Sequence, residues 1–284
     1  MTDNNNFSIT CKDAGVIVEI GGNHEGDIDY AYKLVDSAIS AGAQSIKLQS
    51  YTANSLVNNK LNPDRAKHFE KFTLPYHQQI DIAKYIASKG AMFMSSLWDL
   101  KSLELLDPYI DIHKVGSGDL TNYSIIHALC ETKKPLILST AMSDITLIKE
   151  SVDFIYQHFP EYKEPGRLAL LHCVAMYGDL NDNYANLMAI QDLKSNFPRT
   201  TVGYSDHTFG VEAAILSLSL GAEIIEVHFT DDKTREFRDH HLSINKEELL
   251  LLNSAYTRSR NLLGNNAKGF VDPVESKERI TEFR

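Results

Sequence analysis

The chain has 284 residues, 43% of them apolar, and a formal net charge of −10 from 28 Lys and Arg against 38 Asp and Glu. That apolar content is enough for a substantial core and excludes disorder as the main state, and the acidic balance, with no basic block, argues against nucleic acid or an anionic membrane as partner. Cys11, Cys130 and Cys173 are odd in number and far apart, which fits neither a disulfide framework nor a zinc spacing and points to a reducing cytoplasm.

Residues 1–15 are polar and carry Asn4, Asn5 and Asn6 where a signal peptide needs an apolar stretch; 1–14 reads as an N-terminal extension. Short apolar runs bounded by Gly, Asn, Asp or Pro follow at 16–20, 45–48, 91–94, 112–115, 136–138, 168–171, 201–203 and 224–226, and predict eight strands. Amphipathic segments at 28–41, 76–89, 122–133, 144–158 and 209–220, with a last one at 246–262, predict helices between and after them. Strand and helix alternate at about 35 residues per unit, which suits a single closed (β/α)8 TIM barrel over 1–284; a doubly wound open sheet is the alternative. Residues 54–71, with four Asn and Pro63, predict a polar loop over the strand ends that is mobile without substrate. The apolar segments 168–177 and 213–225 are too short and too interrupted to span a bilayer.

Polar chemistry gathers just after the strands. Gly21-Gly22-Asn23-His24-Glu25-Gly26-Asp27 turns tightly and sets Glu25 over the barrel mouth, where a carboxylate orients or deprotonates a water; Asp27 reads as the cap of the next helix. Lys47 and Gln49, two apart on a strand, share a face. Lys114 precedes Gly116-Ser117-Gly118-Asp119, a cation and a glycine-flanked hydroxyl suited to a phosphate or carboxylate. Two strand-end lysines in so acidic a chain predict a focused anion site, to which Ser95-Ser96 and Ser139-Thr140 add uncharged donors. His172 reads as a satisfied core histidine, Cys173 as a small buried apolar residue with no base beside it, and Tyr177 as a partner for a sugar hydroxyl. His207 and His228 project from adjacent strand ends, and two imidazoles with open positions suit a borderline divalent cation whose other sites go to water and substrate oxygens. His240 and His241 would point to opposite sides if extended, which makes them poor partners for one ion.

In this order the motifs resemble the sialic acid synthases and their relatives that make legionaminic and pseudaminic acids. The likeness runs from about Val16 to Glu275 through Glu19-Ile20-Gly21-Gly22-Asn23-His24-Glu25-Gly26, Lys47-Leu48-Gln49, Lys114-Val115-Gly116-Ser117-Gly118, Leu138-Ser139-Thr140, Leu171-His172-Cys173, Gly203-Tyr204-Ser205-Asp206-His207-Thr208 and His228-Phe229-Thr230. It implies a metal-dependent condensation of phosphoenolpyruvate with an open-chain amino-sugar aldehyde, giving a 3-deoxy-2-ulosonic acid and phosphate, with Mn2+ as cofactor and Mg2+ or Co2+ as alternatives. It implies that Lys47, Ser96, Lys114, Ser117, Ser139 and Ser205 hold phosphoenolpyruvate and that His207 and His228 ligate the metal. Glu25 would handle the water or the aldehyde proton, and Gln49, Asp119, Tyr177 and Asp239 would complete the substrate contacts.

Departures cluster on the sugar side. Asp119 stands for a glutamate, Ala175 for an asparagine, and Glu236-Phe237-Arg238-Asp239 for a Gly-Pro-Asp loop, so an acceptor other than N-acetylmannosamine is expected. Residues 264–284 resemble the linker before the family's antifreeze-like cap domain; without that domain, a homodimer or a cap supplied in trans is expected. Two further readings use the same residues: a Schiff-base aldolase or lyase with Lys114 or Lys47 as nucleophile, and a non-catalytic barrel that binds a metabolite.

Overall fold

Parallel strands hydrogen-bond in sequence order and close on themselves, with Val16 to Glu19 registered against Ile225 to His228. That last pairing rules out the open sheet and makes the (β/α)8 barrel. The computed structural model describes residues 9–57, 60–176, 182–236 and 239–264, apart from the His68 side chain. The strands are β1 (Val16–Gly21), β2 (Ser45–Ser50), β3 (Met92–Leu97), β4 (His113–Val115), β5 (Leu136–Ser139), β6 (Leu168–Cys173), β7 (Thr201–Asp206) and β8 (Ile225–His228). The helices are α1 (Ile28–Ser40), α2 (Ala53–Leu56), α3 (Pro63–Phe72), α4 (Tyr76–Ser88), α5 (Leu100–Leu106), α6 (Tyr123–Glu131), α7 (Ile145–His158), α8 (Ala189–Asn196), α9 (Glu212–Ser219) and α10 (Lys246–Leu262). Asp27 caps α1, accepting from the backbone of Asp29 and Tyr30. Among the described residues no helix is long and apolar enough to cross a membrane.

Side chains two apart on a strand share a face, and this rule layers the barrel interior. Ile17, Met94, Ile112, Ile137, Leu171 and Ile224 form a buried cluster inside the barrel. One step further along the same face stand Glu19, Ser96, Lys114, Ser139, Cys173 and Glu226, all buried. Most strands therefore run past their predicted ends. The ladder needs backbone partners rather than apolar side chains, and the polar residues that end the apolar runs remain in it.

Two expectations are corrected. Residues 9–14 are not an extension: Cys11 and Ala14 are fully buried in the interior cluster, and Cys11 N donates to Gly166 O at 2.7 Å, closing the amino end of the barrel. Residues 1–8 and 265–284, which carry the rest of the predicted extension and most of the linker-like tail, lie outside the described residues. The described residues of the polar excursion at 54–71 are mostly helical, in α2 and α3. Asn62 caps α3 and Pro63 occupies its first turn, while Tyr51, Val57, Ala66 and Phe69 form a small core of their own with Leu56 and Trp98.

Gly203 marks where the interior is tightest. A Cβ there would meet Ile224 O at 2.4 Å and Leu171 Cδ2 at 2.6 Å, and the carbonyl belongs to a strand neighbour that cannot rotate away. Gly203→Ala is expected to cost about 3 kcal/mol, read as a lowered urea midpoint; an unchanged midpoint would mean that β7 and β8 separate freely.

Candidate active site

The polar layer opens into a cavity of about 500 Å3 at the carboxyl ends of the strands, the face on which barrel enzymes carry their chemistry. Register assembles it. Glu19 pairs with Lys47 on one side and His228 on the other, Gln49 with Ser96, Ser96 with Lys114, and Ser205 with Glu226.

One side is cationic and rich in hydroxyls. Lys47 pairs with Glu19, lies 3.7 Å from Glu226 and donates to Ser96 Oγ at 3.4 Å. Lys114 donates to Ser139 Oγ at 2.6 Å and lies 3.6 Å from Glu226, whose Oε1 accepts from Ser205 Oγ at 3.0 Å. Burial pushes the Lys47 ammonium down to about 8, helped by Lys114 and opposed by Glu226. Burial also resists charge on Glu226, yet Lys114 and Lys47 outweigh it and hold the carboxyl well below its ordinary range. Gly116 and Gly118 border open space, with nothing within 4 Å of an added Cβ, and Ser117 Oγ accepts from Ala141 N at 3.0 Å. Backbone and hydroxyls can thus approach an anion closely.

The rings of His207 and His228, which also line the cavity, lie 5.3 Å apart. His207 Nδ1 meets Val174 O at 3.0 Å, which puts the proton on Nδ1 and the lone pair on Nε2. The buried His228 Nδ1 makes no hydrogen bond, although Asp239 Oδ2 lies 3.6 Å away. Two imidazoles side by side, one with Nδ1 on the Val174 carbonyl and the other with Nδ1 facing Asp239, offer their Nε2 atoms as a donor set that fits a divalent cation. Among the described residues no three or more such side chains converge, so two imidazoles would hold it and oxygen atoms of water and substrate would complete its shell.

The two imidazoles titrate in opposite directions. Burial, with His207 alongside, pushes His228 down to about 4 against the pull of Asp239. For His207 burial works against the charge, but the Cys173 sulfur and the Val174 carbonyl prevail and raise it to about 9. Unfolded histidine titrates near 6.5. Between that value and 4 the unfolded chain binds the extra proton on His228, so stability falls with falling pH. The His207 contribution is complete below 6.5 and is lost as pH rises through 9. Without metal, the urea midpoint is expected to drop between pH 6.5 and 5, and His228→Phe is expected to flatten that drop; the same drop in the variant would assign it elsewhere.

Lys47, Gln49, Ser96, Lys114, Ser117, Ser139, Ser205, His207, His228 and Asp239 all line the cavity. Glu25 and Asp119 are not among its described lining residues, and Tyr177 lies outside the described residues. Glu25 adopts φ +54°, where Arg235 Nε donates to its Oε1 at 2.7 Å. That hydrogen bond, opposed by burial, holds its carboxyl low. Asp119 accepts from Asn122 Nδ2 at 3.1 Å in the turn before α6. His172 is satisfied as expected, with Nε2 2.8 Å from Ala185 O.

Sequence reasoning missed three participants. Glu19 and Glu226 are the buried carboxylates of the cavity, and the alternation Ile17, Glu19 and Ile224, Glu226, His228 was the signal for them. Cys173 does have an imidazole beside it, with His207 Nδ1 3.6 Å from its sulfur, brought there by the pairing of β6 with β7.

A closed barrel with an anion floor and paired imidazoles at its carboxyl face defines a (β/α)8 enzyme that handles an anionic substrate. The chain belongs to the NeuB family, whose sequence profile matches residues 34–268. It is 38% identical over 270 residues to an uncharacterised protein of Methanocaldococcus jannaschii, covering 95% of this chain and 77% of that one. It is 31% identical over 274 residues to an N,N'-diacetyllegionaminic acid synthase of Legionella pneumophila, covering 92% and 75%. A crystal structure of N-acetylneuraminic acid synthetase from Leptospira borgpetersenii in complex with citrate superposes with a TM-score of 0.85 at 30% identity, covering 95% of this chain and 93% of that one.

Proposed function

We propose that the chain condenses phosphoenolpyruvate with an open-chain aldose or amino-sugar aldehyde, giving a 3-deoxy-2-ulosonic acid and phosphate. The observation that carries this reading is the meeting, in one cavity, of two buried lysines and four serine hydroxyls with a pair of imidazoles. Relatives named as N,N'-diacetyllegionaminic acid and N-acetylneuraminic acid synthases support a sialic-acid-like product.

Lys47, Lys114, Ser96, Ser117, Ser139 and Ser205 hold the carboxylate and phosphate of phosphoenolpyruvate. His207 and His228 would hold a divalent cation, Mn2+ before Mg2+ or Co2+, which when bound would supply Lewis acidity toward the aldehyde oxygen. The enol carbon bonds to the aldehyde carbon, positive charge develops at the carbon bearing the phosphate ester, and water adds there. The bond from that carbon to the ester oxygen then breaks and phosphate leaves, with Lys47 and Lys114 stabilising its charge. Proton handling falls to the carboxylates that line the cavity, Glu19, Glu226 and Asp239, rather than to Glu25. Gln49 and Asp239 meet the acceptor, under a rim formed by Arg65, Phe69 and Trp98. The altered sugar-side residues favour an acceptor other than N-acetylmannosamine, and the free, buried cysteines suit a cytoplasmic setting.

Phosphate release from phosphoenolpyruvate is expected only with Mn2+ and a suitable acceptor, across a panel of aldoses and N-acetylated amino sugars. A chelator and His207→Ala are each expected to abolish it. Release without acceptor, or release that survives the chelator, would overturn the assignment.

A further inference from the structure

The turn between β1 and α1 reaches across to a single loop, the one between β8 and α10. Asn23 Nδ2 donates to Phe229 O at 3.0 Å and to Ser243 Oγ at 2.9 Å, while Asn23 Oδ1 accepts from Asp239 N at 3.3 Å. Two residues on, Glu25 accepts from Arg235 at 2.7 Å and lies 3.3 Å from His240 Nε2. The far ends of these contacts are anchored as well. The Arg235 guanidinium sits 4.3 Å over the Tyr30 ring, Tyr30 donates to Asp231 at 2.6 Å, and His240 Nδ1 meets Thr230 Oγ1 at 2.6 Å. The loop is thus gripped before Asp239, through Arg235, at Asp239 itself, and just after it, through His240.

Asp239 is the carboxylate nearest the unsatisfied Nδ1 of His228, at 3.6 Å. A ligating histidine is oriented by a carboxylate or carbonyl at its other ring nitrogen, and loss of that partner weakens metal binding by about 10- to 100-fold. Glu25 also holds a left-handed backbone conformation, φ +54°, which a non-glycine residue adopts at a cost and keeps only where its surroundings fix it.

We propose that Glu25 and Arg235, with Asn23, form a clamp that positions Asp239 against His228 and thereby sets the imidazole for the cation. Glu25 is a positioning residue in this scheme and does not touch the reacting atoms. The clamp rests on the metal-dependent reading above, and its test separates the two.

The test measures Mn2+ affinity by electron paramagnetic resonance on the full chain without substrates, for the parent, Arg235→Met, Glu25→Gln and the double variant. Each single variant is expected to bind Mn2+ about 10-fold more weakly. The double variant is expected to bind no more weakly than either single one, and Arg235→Lys to recover part of the loss. In turnover, both single variants are expected to lose kcat to a similar extent while KM for phosphoenolpyruvate holds. Imidazole resonances of the metal-free protein are expected to shift at His228 in Arg235→Met. Unchanged Mn2+ affinity and an unshifted His228 signal in Arg235→Met would overturn the clamp alone. So would loss of all turnover in Glu25→Gln with Arg235→Met fully active, because that pattern belongs to a base. A parent chain that binds no Mn2+ overturns the metal reading and the clamp together.

Discussion

Glu226→Leu is expected to destabilise the barrel by about 3–5 kcal/mol, the usual cost of removing one partner from a buried ion pair. Glu226 is 7% exposed and stands between the ammonium groups of Lys114, at 3.6 Å, and Lys47, at 3.7 Å. Lys47 keeps Glu19 after the substitution. Lys114 keeps only Ser139 and the Val115 carbonyl, because Glu226 is its sole carboxylate partner among the described residues. The variant therefore holds two buried cations against one anion. Replacing Lys114 as well, in Glu226→Leu with Lys114→Met, is expected to recover most of the loss, since an apolar pair carries no desolvation penalty. Urea unfolding at pH 7 reads both. The depressed carboxyl of Glu226 also adds stability that is present above the ordinary glutamate range and lost as pH falls through its folded value. A loss below about 1 kcal/mol in Glu226→Leu would be too small for a buried ion pair and would show that the two lysines do not depend on this carboxylate.

Local pattern made the barrel legible. Apolar runs bounded by turn residues located every strand, and the polar residues singled out at or beyond their carboxyl ends, Lys47, Lys114, Ser139, His207 and His228, do line the cavity. Contacts between distant segments were not legible. Adjacency to Gly21 and Gly22 placed Glu25 over the mouth, whereas its partner is Arg235, 210 positions away. Cys173 showed no imidazole neighbour within its own segment because His207 arrives through the neighbouring strand. Glu19 and Glu226 stood inside apolar runs and counted as strand residues, although their alternation with Ile17 and Ile224 already put them on the interior face. In the 54–71 stretch the asparagines outweighed Asn62-Pro63, a pair that starts a helix by capping it and pre-setting its first turn.

Lys114→Met is expected to lower kcat/KM for phosphoenolpyruvate by about 1,000-fold, the upper range for removing one preorganised charge-stabilising donor. The ammonium is 2% exposed, donates to Ser139 Oγ and faces the cavity beside Gly116 and Ser117, where anionic charge is brought together as phosphate departs. Low dielectric around it makes the charge worth more than it would be in water. Lys114→Arg separates this role from that of an amine nucleophile. Guanidinium keeps the positive charge and the donors but forms no imine with a carbonyl substrate. Electrostatic stabilisation predicts that Lys114→Arg turns over at least about 10-fold faster than Lys114→Met, with acceptor KM close to the parent value in both. A Schiff-base enzyme would be equally dead in the two variants, and borohydride with substrate would trap an adduct on the parent chain. Steady-state kinetics with the acceptor from the phosphate-release panel decide between them.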